Sequence, residues 1–173
     1  MKKKTIIFAI LSIILTTIAL LTFIFFKTDL LKKNKNITMK KYRKQYIVSD
    51  DITLSNYINK EDKTLVIFWA TWCDYCLQES EALNEYINQN PYKSIIIVSH
   101  DDNKDEITNY LNEKGYNWFV IFDPQKTIRE NLDPGSKGIP SSYLLDNSRN
   151  ITNFHKGKLS LEQFQSFFNG VEI

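Results

Sequence analysis

Apolar residues along the chain fall into runs and stripes of different period, and each period predicts a different element. The longest run, Ile6 to Phe26, is 21 residues without a charge, a proline or a glycine. At about 1.5 Å per residue it makes a helix of roughly 30 Å, enough to cross the hydrocarbon core of a bilayer. Tyr46-Ile47-Val48 is a short strand candidate, and Ser49-Asp50-Asp51 offers N-cap chemistry for a helix carrying Ile52, Leu54, Tyr57 and Ile58. Thr64 to Trp69 is a continuous run of β-formers, the pattern of a central strand buried on both faces. After Cys73 the period becomes helical: Cys76, Glu79, Leu83, Tyr86 and Ile87 share one face. Ser94 to Ser99 reads as a second buried strand. Asn103 to Lys114 reads as a helix with Ile107, Tyr110 and Leu111 inward and Gly115 as its stop. Trp118 to Phe122 is a further strand closed by an Asp123-Pro124 turn, and Thr127 to Leu132 a short helix. Strands at Ser142 to Leu145 and Ile151 to Phe154 flank an Asp146-Asn147 turn, and Ser160-Leu161-Glu162-Gln163 is a capping box opening a last helix striped with Leu161, Phe164, Phe167 and Phe168. Strands alternate with helices and finish in a hairpin, which argues for an α/β domain with a central mixed β-sheet flanked by helices on both faces.

Composition narrows this picture without redirecting it. With 173 residues, 43% hydrophobic and 24% charged, the chain holds one globular domain and an appendage. The divisions expected are a short tail over 1–5, a transmembrane signal-anchor over 6–26, a Lys/Asn-rich basic linker over 27–45 and the folded domain over 46–173. A net charge of +2 gives no argument for a nucleic-acid partner, and the basic residues crowd the N-terminal part. A cleaved signal peptide is the competing reading of the apolar run. Such regions usually span about 7–15 residues and end in a small-x-small site, and a cut after Thr17-Ile18-Ala19 would leave seven mostly apolar residues on the mature end. An uncleaved single-span anchor is therefore expected. The count of flanking basic residues favours a cytoplasmic domain. Against it, apolar segments close to a Lys-rich N-terminus are the usual export signals, and long domains translocate largely regardless of charge. The expected placement is the cell membrane with the domain outside.

The candidate chemistry lies where the first buried strand turns into a helix, at Phe68-Trp69-Ala70-Thr71-Trp72-Cys73-Asp74-Tyr75-Cys76. These are the chain's two cysteines. Thiols at i and i+3 across the first turn of a helix lie close enough to close and reopen a disulfide, and the unpaired N–H groups of the helix N-terminus favour a thiolate at the first position. Glu79 falls on the core side of the same helix, where a carboxylate is costly unless it has a partner or a purpose; an ordinary surface glutamate is the alternative. His100 and His155 are far apart in sequence and are expected at strand ends or loops, and no closely spaced second ligand pair supports a zinc site. Asp101-Asp102 reads as a solvated loop.

Phe-Trp-Ala-Thr-Trp-Cys-x-x-Cys, the Glu three residues after the second Cys, and Gly138-Ile139-Pro140 leading into Tyr143-Leu144-Leu145-Asp146 resemble the thioredoxin fold, and more closely the membrane-anchored TlpA/ResA-type thiol–disulfide oxidoreductases of bacteria. The resemblance covers about residues 46–170. It implies that Cys73 is an exposed attacking thiolate and that Cys76, one turn in and buried, resolves the mixed disulfide. It also implies that Glu79 takes and returns the Cys76 proton. By the same resemblance Ile139-Pro140 is a cis peptide beside the active site, and Trp72, Ile139 and Pro140 meet the substrate; from the residues alone this Pro reads equally well as a turn. The chain departs from the family where Asp74-Tyr75 replaces the common pair ending in Pro. The Asp74 charge opposes ionisation of Cys73, which pushes toward a reducing couple. No cofactor and no metal are implied. The partners implied are cysteine-containing extracytoplasmic proteins and a membrane electron carrier, since no third cysteine relays electrons, with the domain a monomer. A disulfide-forming oxidase, or a non-catalytic thiol- or metal-binding module on the same fold, are the alternative functions.

Overall fold

Strand β2 (Thr64–Trp69) carries six buried side chains in a row, and the sheet is built outward from it. The computed structural model describes residues 14–25, 27, 46–59 and 61–173. The chain divides into two units, Met1–Met39 and Lys40–Ile173. In the first, residues 14–25 are helical, with exposed apolar side chains that include Leu15, Leu21, Phe23 and Phe25. Among the described residues no helix is long and apolar enough to cross a membrane. Residues 6–13 and 26 of the anticipated span, and the linker from 28 to 45, lie outside the described residues.

The second unit is a six-stranded sheet of order β1-β4-β3-β2-β5-β6. Strands β1 (Ile47–Ser49), β4 (Phe119–Phe122), β3 (Ser94–Ser99) and β2 run parallel, while β5 (Ser141–Leu145) and β6 (Ile151–Lys156) are antiparallel additions beyond β2. Period-two alternation splits β2 between two cores. Leu65, Ile67 and Trp69 meet helices α1 (Asp74–Gln89), α2 (Lys104–Lys114) and α4 (Leu161–Phe168) on one face. Val66 and Phe68 meet Ile128 of α3 (Thr127–Leu132), with Tyr143 and Leu145, on the other. The connections β2-α1-β3 and β3-α2-β4 join parallel strands, step the same way across the sheet and share a face, as right-handed crossovers require. Helix α3, on the way from β4 to the antiparallel β5, packs on the opposite face.

Gly115 and the Ser160–Gln163 box end and open their helices as anticipated, while Asn103, expected as the first residue of its helix, is instead the N-cap. Asn103 Oδ1 accepts from the Asp105 N–H at 2.9 Å, Gly115 closes α2 at φ +68°, and Ser160 with Gln163 forms a reciprocal capping box. The helix expected over Ile52, Leu54, Tyr57 and Ile58 is instead one 3-10 turn, Leu54–Asn56. The Asp51 carboxylate accepts from the Thr53 N–H, Asn56 Nδ2 and Tyr57 hydroxyl at 2.9–3.1 Å, so the group expected to start a helix folds the chain into a tight turn.

Candidate active site

The end of β2 and the start of α1 bring the two cysteines together. Cys73 is the N-cap of α1, with φ −96° and ψ 106°, and its Sγ accepts from the Cys76 N–H at 3.2 Å. A sulfur at this position takes up one of the helix's orphan donors, and in the dithiol state the same N–H would stabilise the thiolate. Cys73 and Cys76 form a disulfide. Cys76 is wholly buried and Cys73 is 8% exposed, less open than the exposed thiol anticipated. The residues around it are open instead: Trp72, Asp74 and Tyr75 are all exposed.

Two supports hold this turn in place. Trp69 Nε1 donates to the Cys76 carbonyl at 3.2 Å and to Ser80 Oγ at 3.1 Å, and the Ser80 hydroxyl donates to the same carbonyl at 2.8 Å, which ties the strand end to the helix's first turns. Below the loop, Asp101 is completely buried, not solvated. Its carboxylate accepts from the Thr71 N–H at 2.9 Å, from the Thr71 hydroxyl and from the Ser99 hydroxyl at 2.6 Å. Sequence reasoning missed Asp101, because Thr71, whose loop it holds, lies 30 positions earlier.

Ile139-Pro140 is a cis peptide, and the Ile139 carbonyl oxygen lies 3.6 Å from Cys73 Sγ. Gly138 precedes it at φ +94°, a backbone conformation that favours glycine; a Cβ there would come within 2.9 Å of Lys156 Cε, the end of a flexible side chain that can move aside. A second residue unforeseen from the sequence, Arg129 of α3, grips the loop from both sides. Its Nη1 donates to the Gly138 carbonyl at 2.8 Å and its Nη2 to Ser141 Oγ at 2.6 Å, while the guanidinium lies 4.4 Å over the Phe68 ring. An arginine in a six-residue helix carries no sequence signal that sets it apart.

Glu79 faces inward one turn beyond Cys76 and is 1% exposed. Oε1 accepts from the Leu159 N–H at 2.8 Å, and Oε2 has no partner. Burial pushes its pKa up to about 8, with the Leu159 hydrogen bond pulling the other way. A carboxyl that holds its proton near neutrality, on the buried face that carries Cys76, is matched to a thiol. His100 is buried against Phe68, and Nε2 has no partner. Burial first, then Arg129 and Lys126, bring its pKa down to about 3. Among the described residues no cluster of three or more His, Cys, Asp or Glu side chains suited to a metal ion is found.

A mixed sheet with a cysteine pair at the N-terminus of the helix leaving its central strand, faced by a cis X-Pro loop, defines a thioredoxin-like protein of thiol–disulfide exchange. The family model described as Redoxin matches residues 34–167, and the chain belongs to that family. Within it, the chain is a TlpA/ResA-type thiol–disulfide oxidoreductase. It is 29% identical over 129 residues to the thiol:disulfide interchange protein DsbE of Vibrio cholerae serotype O1, covering 74% of this chain and 68% of that protein. It is 21% identical over 126 residues to the sporulation thiol-disulfide oxidoreductase A of Bacillus subtilis, covering 70% and 73%. With DsbE of Yersinia pestis the match spans only 56% of that protein. Among solved structures, StoA from Bacillus subtilis aligns with a TM-score of 0.55 and 22% identity over 63% of this chain and 84% of that one. A DsbF homologue from Corynebacterium diphtheriae aligns with a TM-score of 0.60 and 16% identity over 71% and 82%. These structural likenesses speak to the fold.

Proposed function

We propose that this protein is a membrane-tethered, extracytoplasmic reductant that exchanges its Cys73–Cys76 pair with disulfides of exported proteins. The observation that carries the exchange chemistry is the disulfide at the N-terminus of α1, with Cys73 Sγ 3.6 Å from the Ile139 carbonyl. The Cys73 thiolate attacks one sulfur of a substrate disulfide, forming a mixed disulfide and releasing the other substrate sulfur as a thiolate, which takes up a proton. In the dithiol state the Glu79 carboxylate then accepts the Cys76 proton, and the Cys76 thiolate attacks Cys73 Sγ. The second substrate sulfur leaves as a thiolate that takes up a proton from water, and the disulfide closes with Glu79 protonated, so two electrons pass to the substrate and its two protons come from water. Trp72 and Ile139 line the approach to Cys73 with the cis Pro140 buried behind Ile139, and the exposed Trp72 offers the entering chain an apolar surface. Support for a reducing direction comes from the Asp74 charge next to Cys73. The apolar, exposed helix over residues 14–25 and the basic flanks of the 6–26 run support the tether.

The test is insulin reduction by the full chain, with Cys73→Ala and Cys76→Ala alongside, and a reduction potential measured against glutathione. Both variants are expected to lose turnover. Activity surviving either change contradicts the exchange mechanism. A potential near thioredoxin's, about −270 mV, supports a reductant, whereas one near −120 mV makes the protein an oxidase.

A further inference from the structure

Beside the disulfide lies a pocket of about 430 Å³ whose walls come from both halves of the site: Trp72 from the cysteine turn and Gly138-Ile139 from the cis-Pro loop. Its remaining wall is cationic. Lys126 and Arg129 from the start of α3 and Lys137 from the loop line it, against one carboxylate, Glu130. This contrasts with the domain around it. Residues 46–173 hold eleven Lys and Arg against nineteen Asp and Glu, a net charge of −8. Arg129 is 4% exposed, and among the described residues no carboxylate lies within ion-pair distance of it or of the two lysines. Asp133 favours the Arg129 charge from further off, but is itself hydrogen-bonded to the Tyr143 hydroxyl at 2.8 Å. A desolvated cation with no counter-charge at contact distance is costly, and the cost falls when an anion arrives. The pocket also contains His100, whose buried Nε2 has no partner, as has Arg129 Nε. Burial above all keeps this imidazole neutral, and Arg129 and then Lys126 add to it, which places His100 in their shared positive field.

We propose that this pocket is a specificity site for the carboxylate of an Asp or Glu side chain lying within two residues of the substrate's reactive cysteine. The inference rests on the exchange function above and adds to it a substrate chemistry. A peptide whose cysteine reaches Cys73 passes between Trp72 and Ile139, the two residues that also wall the pocket. A neighbouring acidic side chain then enters a site lined by two exposed lysines and a buried guanidinium held by hydrogen bonds. Charge complementarity in such a site raises the encounter rate and orients the chain, against the repulsion from the rest of the domain.

The experiment uses the full chain in detergent, with its cysteine pair first reduced. It is given fluorogenic peptide disulfides identical except for Glu or Gln at one of the four positions within two residues of the cysteine. At one position at least, kcat/KM for the Glu peptide should exceed that for the Gln peptide by about tenfold at low salt. In a Lys126→Gln/Lys137→Gln double variant the same ratio, taken within that variant, should fall toward one. Turnover of the Gln peptides with no Glu preference at any position overturns the pocket alone, and so does a preference that the double variant retains. Turnover of neither series by the wild type overturns the exchange function and the pocket with it. A ratio that collapses in the double variant, and in the wild type as salt is raised, supports the site.

Discussion

Glu79 is the residue at which burial and chemistry pull hardest against each other. Its one hydrogen bond, from Leu159, does not offset the loss of water, so the carboxyl keeps its proton up to about pH 8. The folded chain therefore binds a proton that the unfolded chain releases above about pH 4.3. This contribution to stability is fully present below that pH and is lost as the pH rises through about 8. Urea unfolding of the disulfide form should show wild type losing stability relative to Glu79→Gln across that window, by up to about 1.4 kcal/mol per pH unit. After reduction, the same variant should shift the pH profile of Cys76 alkylation. Parallel stability curves and an unchanged alkylation profile would leave Glu79 with neither role. The position of Glu79 was legible because helical spacing from Cys76 to Leu83 carries it to the buried face. Arg129 was not legible, because its acceptors, Gly138 and Ser141, become its neighbours only when β5 pairs with β2.

Among the elements, the turn between β2 and α1 depends on a strand end that the sequence reading passed over. Asp101 follows β3, and the parallel register of β2 with β3 sets Trp69 opposite Ser99, which brings that carboxylate under Thr71. The sequence marks Asp101 only as the first of two aspartates in a loop. Its burial depends on register, which a run of apolar residues does not encode. Asp101→Ala should cost about 2–4 kcal/mol in urea unfolding, because the Thr71 N–H and the Ser99 hydroxyl lose their acceptor. It should also slow exchange at Cys73 more than Asp101→Asn, which keeps one acceptor oxygen. Equal stability of wild type and Asp101→Ala would mean that the loop holds itself. The misread helix near Leu54 has the converse origin. Asp51 has acceptor geometry for either a cap or a turn, and Asn56 and Tyr57 within the same segment decide for the turn. Elements marked by long apolar runs or by caps (β2, β3, α2 and α4) were legible almost to the residue.

At the scale of the whole chain, the two ends differ in kind. Residues 1–45 carry eleven Lys and Arg and one Asp, whereas residues 46–173 carry the excess of acid. In a bacterial host the full chain should stay with membranes after an alkaline wash, and protease added to whole cells should digest the domain. Release by the wash, or protection from protease, would count against the tether or its orientation respectively. The Cys73–Cys76 bond closes a ring of only four residues at the rim of a core whose cohesion comes from apolar packing on both faces of β2. By chain entropy so short a cross-link contributes about 2 kcal/mol, less than one that closes a long loop. The apolar core does not hang on it, so the oxidation state of the pair works as a reversible variable of the molecule and not as its main scaffolding.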